Sequence, residues 1–398
     1  RKFVVASPRR RWPEDLARHI LEFLTFPYQV ASGGSNAIIT LWGPKGARAV
    51  LRGHYGAVSG FEFFPLGGAA VSWSRDGTAI VWDTRTALAL HVLRHDFAVQ
   101  SAKVFPDGDR ILTCHLQGAC TIWSAISGEA LVVLRSAEAG AAAVFPCGRR
   151  VLTAGLAVSV WHADRGVRVC RFQRHRFIAR AAQIFPDGSR AAAGSRIGSV
   201  IVFNTTTCQA MMELAHDDWV EGIAVARDGA ILIVYTNDGA TTVWDAALGT
   251  RLRSLPPSRD ELLTFMFGGV VAFGRGDRVA SFSWVGATVW NSSSGEILHR
   301  LKDPSRATRN IAVAPGGEVV AACGAGVAMV WDPDSGALLH EFVELAADAG
   351  RADFCFVAFG PGSALDVHGV GRGALWRDLP QSADRGSRGV APRPIREP

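Results

Sequence analysis

The 398-residue chain lacks several features that would assign it to a functional class at once. No apolar run approaches the ~20 residues that a helix needs to cross a bilayer, and the first residues, with Lys2–Ala6 leading straight into arginines, lack the pattern of a secretory signal. Seven cysteines stand at 114, 120, 147, 170, 208, 323 and 355, with no CxxC pair and an odd count, which argues against a disulfide framework. The expectation is free thiols acting as small core residues in a reducing compartment, cytoplasm or nucleus. On that reading the sequons at Asn204 and Asn291 carry no weight. There is no GxSxG, HExxH, P-loop or dinucleotide fingerprint, and Gly369-Val370-Gly371-Arg372-Gly373 reads as a turn. The chain is therefore expected to be no enzyme, with no cofactor and no metal.

Charge excludes less than its sum suggests. The net charge is +6, but arginines concentrate in Arg9–Arg11 and in Arg385, Arg388, Arg393 and Arg396, without interleaved aromatics. Nucleic-acid modules pair a basic face with stacking aromatics or a readable motif, so nucleic acid is not an expected partner, and nothing points to a small molecule either. With 48% apolar and 20% charged residues, the composition is that of a globular protein with ample core.

What the chain does have is a repeat. Aliphatic runs end in an aromatic residue at Trp42, Trp82, Trp123, Trp161, Phe203, Trp244, Trp290, Trp331 and Trp376, in steps of 38 to 46 residues. His54, His95, His175 and His216 each lie 28 residues before the aromatic of their own unit. Between them stand Phe64-Pro65, Phe105-Pro106, Phe145-Pro146 and Phe185-Pro186, with Asp107-Gly108, Cys147-Gly148 and Asp187-Gly188 following. These clusters are turn chemistry, because Pro presets φ and Gly accepts positive φ. A period of roughly 40–45 residues closed by Trp marks a four-stranded propeller blade.

On these residues the chain resembles the WD40-repeat family. Gly53-His54 matches the family's GH dipeptide, and Trp82-Asp83, Trp244-Asp245 and Trp331-Asp332 match its WD dipeptide, over roughly residues 30–378. The resemblance implies an all-β toroid of four-stranded antiparallel blades, used most often as a platform for other proteins. Nine repeat-like units allow a ring of seven to nine blades. The resemblance also implies a chain of hydrogen bonds inside a blade. It maps onto His54, Ser72 or Ser74, Asp76 and Trp82, and less fully onto His216, Thr236, Asp238 and Trp244, with His95, Trp123 and His175 at matching positions. The turn aspartate is replaced by Gln117, Ile197 and Ala325 in other units, which are expected to rely on apolar packing.

Three regions are expected: a lead at 1–27, a propeller at 28–380 and a disordered basic tail at 381–398. Within the lead, Phe3–Ala6 could close the ring as an outer strand. Trp12-Pro13-Glu14-Asp15-Leu16 with Ile20, Phe23 and Leu24 is read in preference as a short helix, the rival reading being Ile20–Phe26 as the first strand of a blade. Pro256-Pro257-Ser258-Arg259-Asp260 marks a loop insertion, and an Arg at position 1 reads as a fragment or processed product.

Candidate working residues follow from the resemblance. The loop after each repeated His opens on the ring's upper face, where this chain places Tyr55, Phe97, Phe177 and Trp219; the facing turns carry Arg75, Arg196 and Asn237, with Trp284 nearby. Aromatics and arginines mixed with acids have the composition of protein hot spots, so other proteins or peptides are the expected partners. The alternative for each aromatic is packing on a neighbouring blade. Trp82-Asp83-Thr84-Arg85 also matches the WDxR pattern of substrate receptors in cullin-RING ubiquitin ligases, with Arg85 as the contact to an adaptor. A third expectation is a sensing or regulatory module of a larger protein.

Overall fold

The computed structural model describes residues 29–360 apart from 44–45, 116–118, 136–140, 173–178, 227–228, 256–267, 274–276, 284–285, 303–307, 315, 325–326 and 344–353. Among these residues every regular element is a strand, and the strands form eight antiparallel four-stranded sheets. Blade 2 shows the plan, with strands Val58–Phe63, Ala69–Ser74, Thr78–Asp83 and Ala89–Arg94 paired in sequence order. Blades 3 to 8 repeat it over 99–135, 141–172, 179–215, 220–255, 268–302 and 310–343. In blade 1 the innermost strand is Phe354–Phe359, which pairs with Val30–Gly34 and so joins the two ends of the described chain. Each first strand packs against the first strand of the next blade, and the cycle returns to its start. Each blade remains a separate sheet, and radial packing leaves only short, protected edges. The grid aromatics Trp42 to Trp331 end the eight third strands, whereas Trp376, Phe3–Ala6, the 13–24 segment and the 381–398 tail lie outside the described residues.

The core is a series of inter-blade clusters rather than one centre, as expected where each sheet must bury both faces. Trp82 is 1% exposed and packs with Ile80, Phe61 and Phe356, joining blades 2 and 1. Phe203 is fully buried with Phe145, Val158 and Val160, joining blades 5 and 4.

Two further devices hold the lower face. The arginines of the recurring Phe-x-x-Gly-x-Arg hairpin lie over their own phenylalanine at 4.3 to 5.1 Å: Arg110 on Phe105, Arg150 on Phe145, Arg190 on Phe185 and Arg278 on Phe273. Each guanidinium then reaches the next blade. Arg110 donates to Gly148 O at 2.8 Å, Arg150 to Gly188 O at 3.1 Å, Arg190 to Ala246 O at 2.7 Å, and Arg278 pairs with Asp334.

The second device is a seam on the outer side. In the turn between third and fourth strands one residue takes positive φ: Ala87, Gly128, Gly166, Cys208, Gly249, Gly295 and Gly336. It abuts the fourth strand of the preceding blade. A Cβ on Gly128 would come within 2.7 Å of His91 Nδ1, and one on Gly336 within 2.6 Å of His299 Nδ1. Those two imidazoles bond Ile126 O at 2.9 Å and Asp334 O at 2.8 Å, carbonyls of the same turns.

The cysteines correct the free-thiol expectation. Cys114 and Cys120, opposite each other in blade 3, are bonded, and Cys170 of blade 4 is bonded to Cys208 of blade 5. Spacing along the chain could not show this, because the first pair meets through strand register and the second across two blades. Among the described residues Cys147 carries a free thiol at the surface.

Candidate interaction face and the network beneath it

The loops from fourth to first strand and from second to third strand open on one face, and the polar network of each blade lies under them. Blade 2 carries the fullest version. His54 Nε2 accepts from the Ser72 hydroxyl at 2.7 Å, and the same oxygen takes the Trp82 indole N–H at 2.8 Å. On the other side of the ring, His54 Nδ1 lies 3.1 Å from Asp76 Oδ2 and 2.9 Å from Thr78 Oγ1. This fits a neutral imidazole protonated on Nδ1. Asp76 also accepts from the Tyr55 amide at 2.8 Å, the Thr78 amide at 2.8 Å and the Thr78 hydroxyl at 2.6 Å. Ser74 stays outside the relay and bonds the Gly56 and Ala57 carbonyls.

Burial holds His54 below its ordinary pKa, with the adjacent Asp76 carboxylate opposing the shift. For Asp76, burial alone would raise the pKa, but the bonds from Thr78 and Tyr55 and the nearby His54 bring it below the usual value. The neutral His54 and charged Asp76 are thus the preferred pair near neutral pH.

Other blades keep parts of the relay. Trp42, Trp123, Trp161 and Trp290 donate to Ser32, Thr113, Thr153 and Ser281 at 2.7 to 3.0 Å. In blade 3, His95 Nε2 meets Thr113 Oγ1 at 2.8 Å. In blade 6 the hydroxyl shared by His216 and Trp244 is that of Thr242, at 3.0 and 2.9 Å, on the Trp's own strand. Thr236 instead bonds Asp238 at 2.6 Å, since residue 234 across the sheet is valine. Burial lowers the pKa of His216. His175, Phe177 and Trp284 lie outside the described residues.

The upper-face candidates form two groups. Over blades 2 and 3, Tyr55 is 95% exposed, Arg75 is exposed, and Phe97 packs on His115 with ring centroids 5.7 Å apart. The Arg75 amide donates to Ala57 O at 3.0 Å, and His95 N to Gly77 O at 2.9 Å, which ties these loops together. Over blades 5 and 6, the Arg196 guanidinium lies 5.2 Å from the Trp219 ring centre, and Trp219 O accepts from Asn237 N at 2.8 Å. Arg85 belongs to neither group. It is exposed on the opposite face, in a turn where Asp83 Oδ1 accepts from the Arg85 and Thr86 amides at 2.8 and 3.0 Å.

Sequence reading missed the hairpin arginines and the seam residues. Their signals were present: Arg110, Arg150, Arg190 and Arg278 each stand five residues after a phenylalanine. Among the described residues no cluster of three His, Cys, Asp or Glu could hold a metal, and no helix is long and apolar enough to cross a membrane.

Comparison with known proteins agrees with this geometry. The family described as "WD domain, G-beta repeat" matches residues 47–83, from the fourth strand of blade 1 to the end of the third strand of blade 2. Transducin beta-like protein 3 of Bos taurus is 25% identical over 252 residues, covering 57% of this chain and 31% of that protein. A guanine nucleotide-binding protein subunit beta of Arabidopsis thaliana is 26% identical over 247 residues, covering 58% of each chain. This chain thus spans about a third of the transducin beta-like relative's length. The solved structure of a computationally designed protein, Ika8, superposes with a TM-score of 0.64 over 76% of this chain and 90% of its own, at 23% identity, a likeness of fold alone.

Proposed function

We propose that this chain, which belongs to the WD40-repeat family, is a non-enzymatic scaffold that holds another protein or a peptide on its upper face. One observation carries the reading: exposed aromatic and arginine side chains stand there on loops that hydrogen bonds tie to the blades and to one another. Tyr55, Arg75 and Phe97 form one contact, and Arg196 with Trp219 forms a second, across the ring. Loops fixed before binding lose little entropy on contact, so such side chains give much of their buried area as affinity. On this reading the face needs neither cofactor nor metal.

The test is affinity capture from native lysate with quantitative mass spectrometry, comparing wild type with Tyr55, Phe97 and Trp219 changed together to Ala. Specific partners are expected to be lost from the variant while its melting temperature is kept. Retention of every partner by the folded variant would overturn the reading.

A second reading, a substrate receptor of a cullin-RING ligase, draws on the exposed Arg85 in the capped turn after Trp82-Asp83. Adaptor capture that Arg85→Ala abolishes would support it, and capture that survives the change would end it. A sensing module within a longer polypeptide stays compatible with both readings, since the transducin beta-like relative is about three times the aligned length.

A further inference from the structure

We propose that the Cys170–Cys208 bond is a redox modification site at which a dithiol unfastens the seam between blades 4 and 5, while Cys114–Cys120 stays closed. This inference stands apart from the scaffold reading.

The first argument is position. Cys170 pairs with Val160 just as His91 pairs with Val81, Met212 with Val202 and His299 with Val289, so it holds the seam position of its fourth strand. Cys208 holds the facing turn position at φ 55, where five of the seven equivalent turns have glycine. Elsewhere this seam is a van der Waals contact or one hydrogen bond; here it is covalent. A side chain at positive φ is disfavoured, so the bond sits on a turn already biased toward glycine.

Access separates the two disulfides. Cys170 is half-buried on an outer strand and Cys208 is 6% exposed. Cys114 and Cys120 are fully buried among Phe105, Leu112, Leu134 and Trp161. Charge favours the same choice. Cys170 Sγ lies 3.6 Å from the Thr205 carbonyl oxygen, which also accepts from Arg150 Nη1 at 3.4 Å, so that one carbonyl links a guanidinium to the half-buried cysteine. A cation there draws an attacking thiolate.

The exchange balances in two steps. One thiolate of the dithiol attacks Cys170 Sγ, a mixed disulfide forms, and Cys208 leaves as thiolate and takes a proton. The second thiol of the reagent then displaces Cys170, so that the reagent is oxidised to its disulfide and two protein thiols remain. In a cytoplasmic or nuclear setting, dithiol pools would set the state of this seam. Reduction leaves the other seams and the hairpin arginines in place, so the change is local.

The experiment titrates the full chain with dithiothreitol, alkylates and maps each cysteine by mass spectrometry, and follows melting in parallel. Cys170 and Cys208 are expected to open at lower reductant than Cys114 and Cys120, with melting falling by roughly 4–8 °C in step. Cys208→Gly, which installs the residue used by the equivalent turns, is expected to melt near reduced wild type and to be indifferent to that reductant range. Alkylation of Cys170 and Cys208 without reductant, simultaneous opening of all four sulfurs, or a melting drop retained in Cys208→Gly would each overturn the proposal.

Discussion

Blades 2 and 3 share a fold and a boundary but solve the same burial problem differently. In both, a hydroxyl on the second strand joins a His to the closing Trp: Ser72 in one, Thr113 in the other. Only in blade 2 is the far nitrogen of the His answered, by Asp76, which also ties down the Tyr55 amide. In blade 3 the aspartate's place is Gln117, outside the described residues, and His95 packs instead on the His115 ring at 6.0 Å. The Gly77 and Leu93 carbonyls lie near enough to favour a charged His95, yet among the described residues its Nδ1 has no hydrogen-bond partner, and neither has that of His115. A buried polar atom without a partner costs roughly 1–3 kcal/mol. The comparison shows that the hydroxyl–indole bond survives degradation of the repeat, while the carboxylate is the part that bonds the upper loop to the blade.

The largest test of this difference is the Trp. Trp82 is 1% exposed, whereas Trp123 is half-buried. Trp82→Ala is expected to cost ~3–5 kcal/mol and Trp123→Ala about 2–3 kcal/mol, read from urea unfolding. Equal losses would mean that the two blades carry the same load despite the missing carboxylate.

Acid separates the blades next. Burial, with a smaller push from His115, takes the His95 pKa down to about 4. Because the folded value lies below the unfolded one of roughly 6.5, the unfolded chain takes the proton first. Stability present above pH ~6.5 is therefore lost as pH falls toward 4, by an amount on the order of 2–3 kcal/mol. His95→Gln should flatten this part of the stability–pH curve. His54→Gln should flatten it less, because Asp76 partly offsets burial there. Asp76 acts lower on the scale: its depressed pKa adds stability that disappears as pH falls through the acid carboxylate range. A stability–pH curve unaltered by His95→Gln would show that the blade 3 imidazole already has a partner.

Much of this architecture was legible in the residues. The aromatic grid from Trp42 to Trp331 marks the third strands of eight blades, because a large aromatic side chain, an indole in seven of them and Phe203 in blade 5, fills the space where two sheets meet. The relay of His54, Asp76 and Trp82 was implied by the family resemblance, which left Ser72 and Ser74 open as the hydroxyl; strand packing selects Ser72. Ring closure by Phe354–Phe359 was not legible, because that strand belongs to a unit whose other strands lie at the opposite end of the described chain. The disulfides were hidden for the same reason: Cys170 and Cys208 are neighbours only through blade packing. Thr242 in place of Thr236 was missed because two positions on adjacent strands can offer a hydroxyl to one indole, and only packing selects between them.

The smallest effect lies in the outer turns, where the two blades differ by one methyl group. Blade 3 has Gly128 at positive φ, with His91 so close that a Cβ would meet its ring at 2.7 Å. Gly128→Ala is therefore expected to destabilise by about 1–3 kcal/mol, combining backbone strain with overpacking. Blade 2 has Ala87 at φ 62. There the facing register position is Ala49, which pairs with Leu41 as His91 pairs with Val81, so the methyl has room and only the backbone conformation opposes it. Replacing Ala87 by Gly relieves about 1–2 kcal/mol of left-handed strain but returns roughly 0.5–1 kcal/mol of freedom to the unfolded chain. The net gain expected is about 0.5 kcal/mol, near the resolution of a careful thermal-melt series. A loss of stability on Ala87→Gly would show that the Ala87 methyl contributes more packing at its seam than the strain takes away.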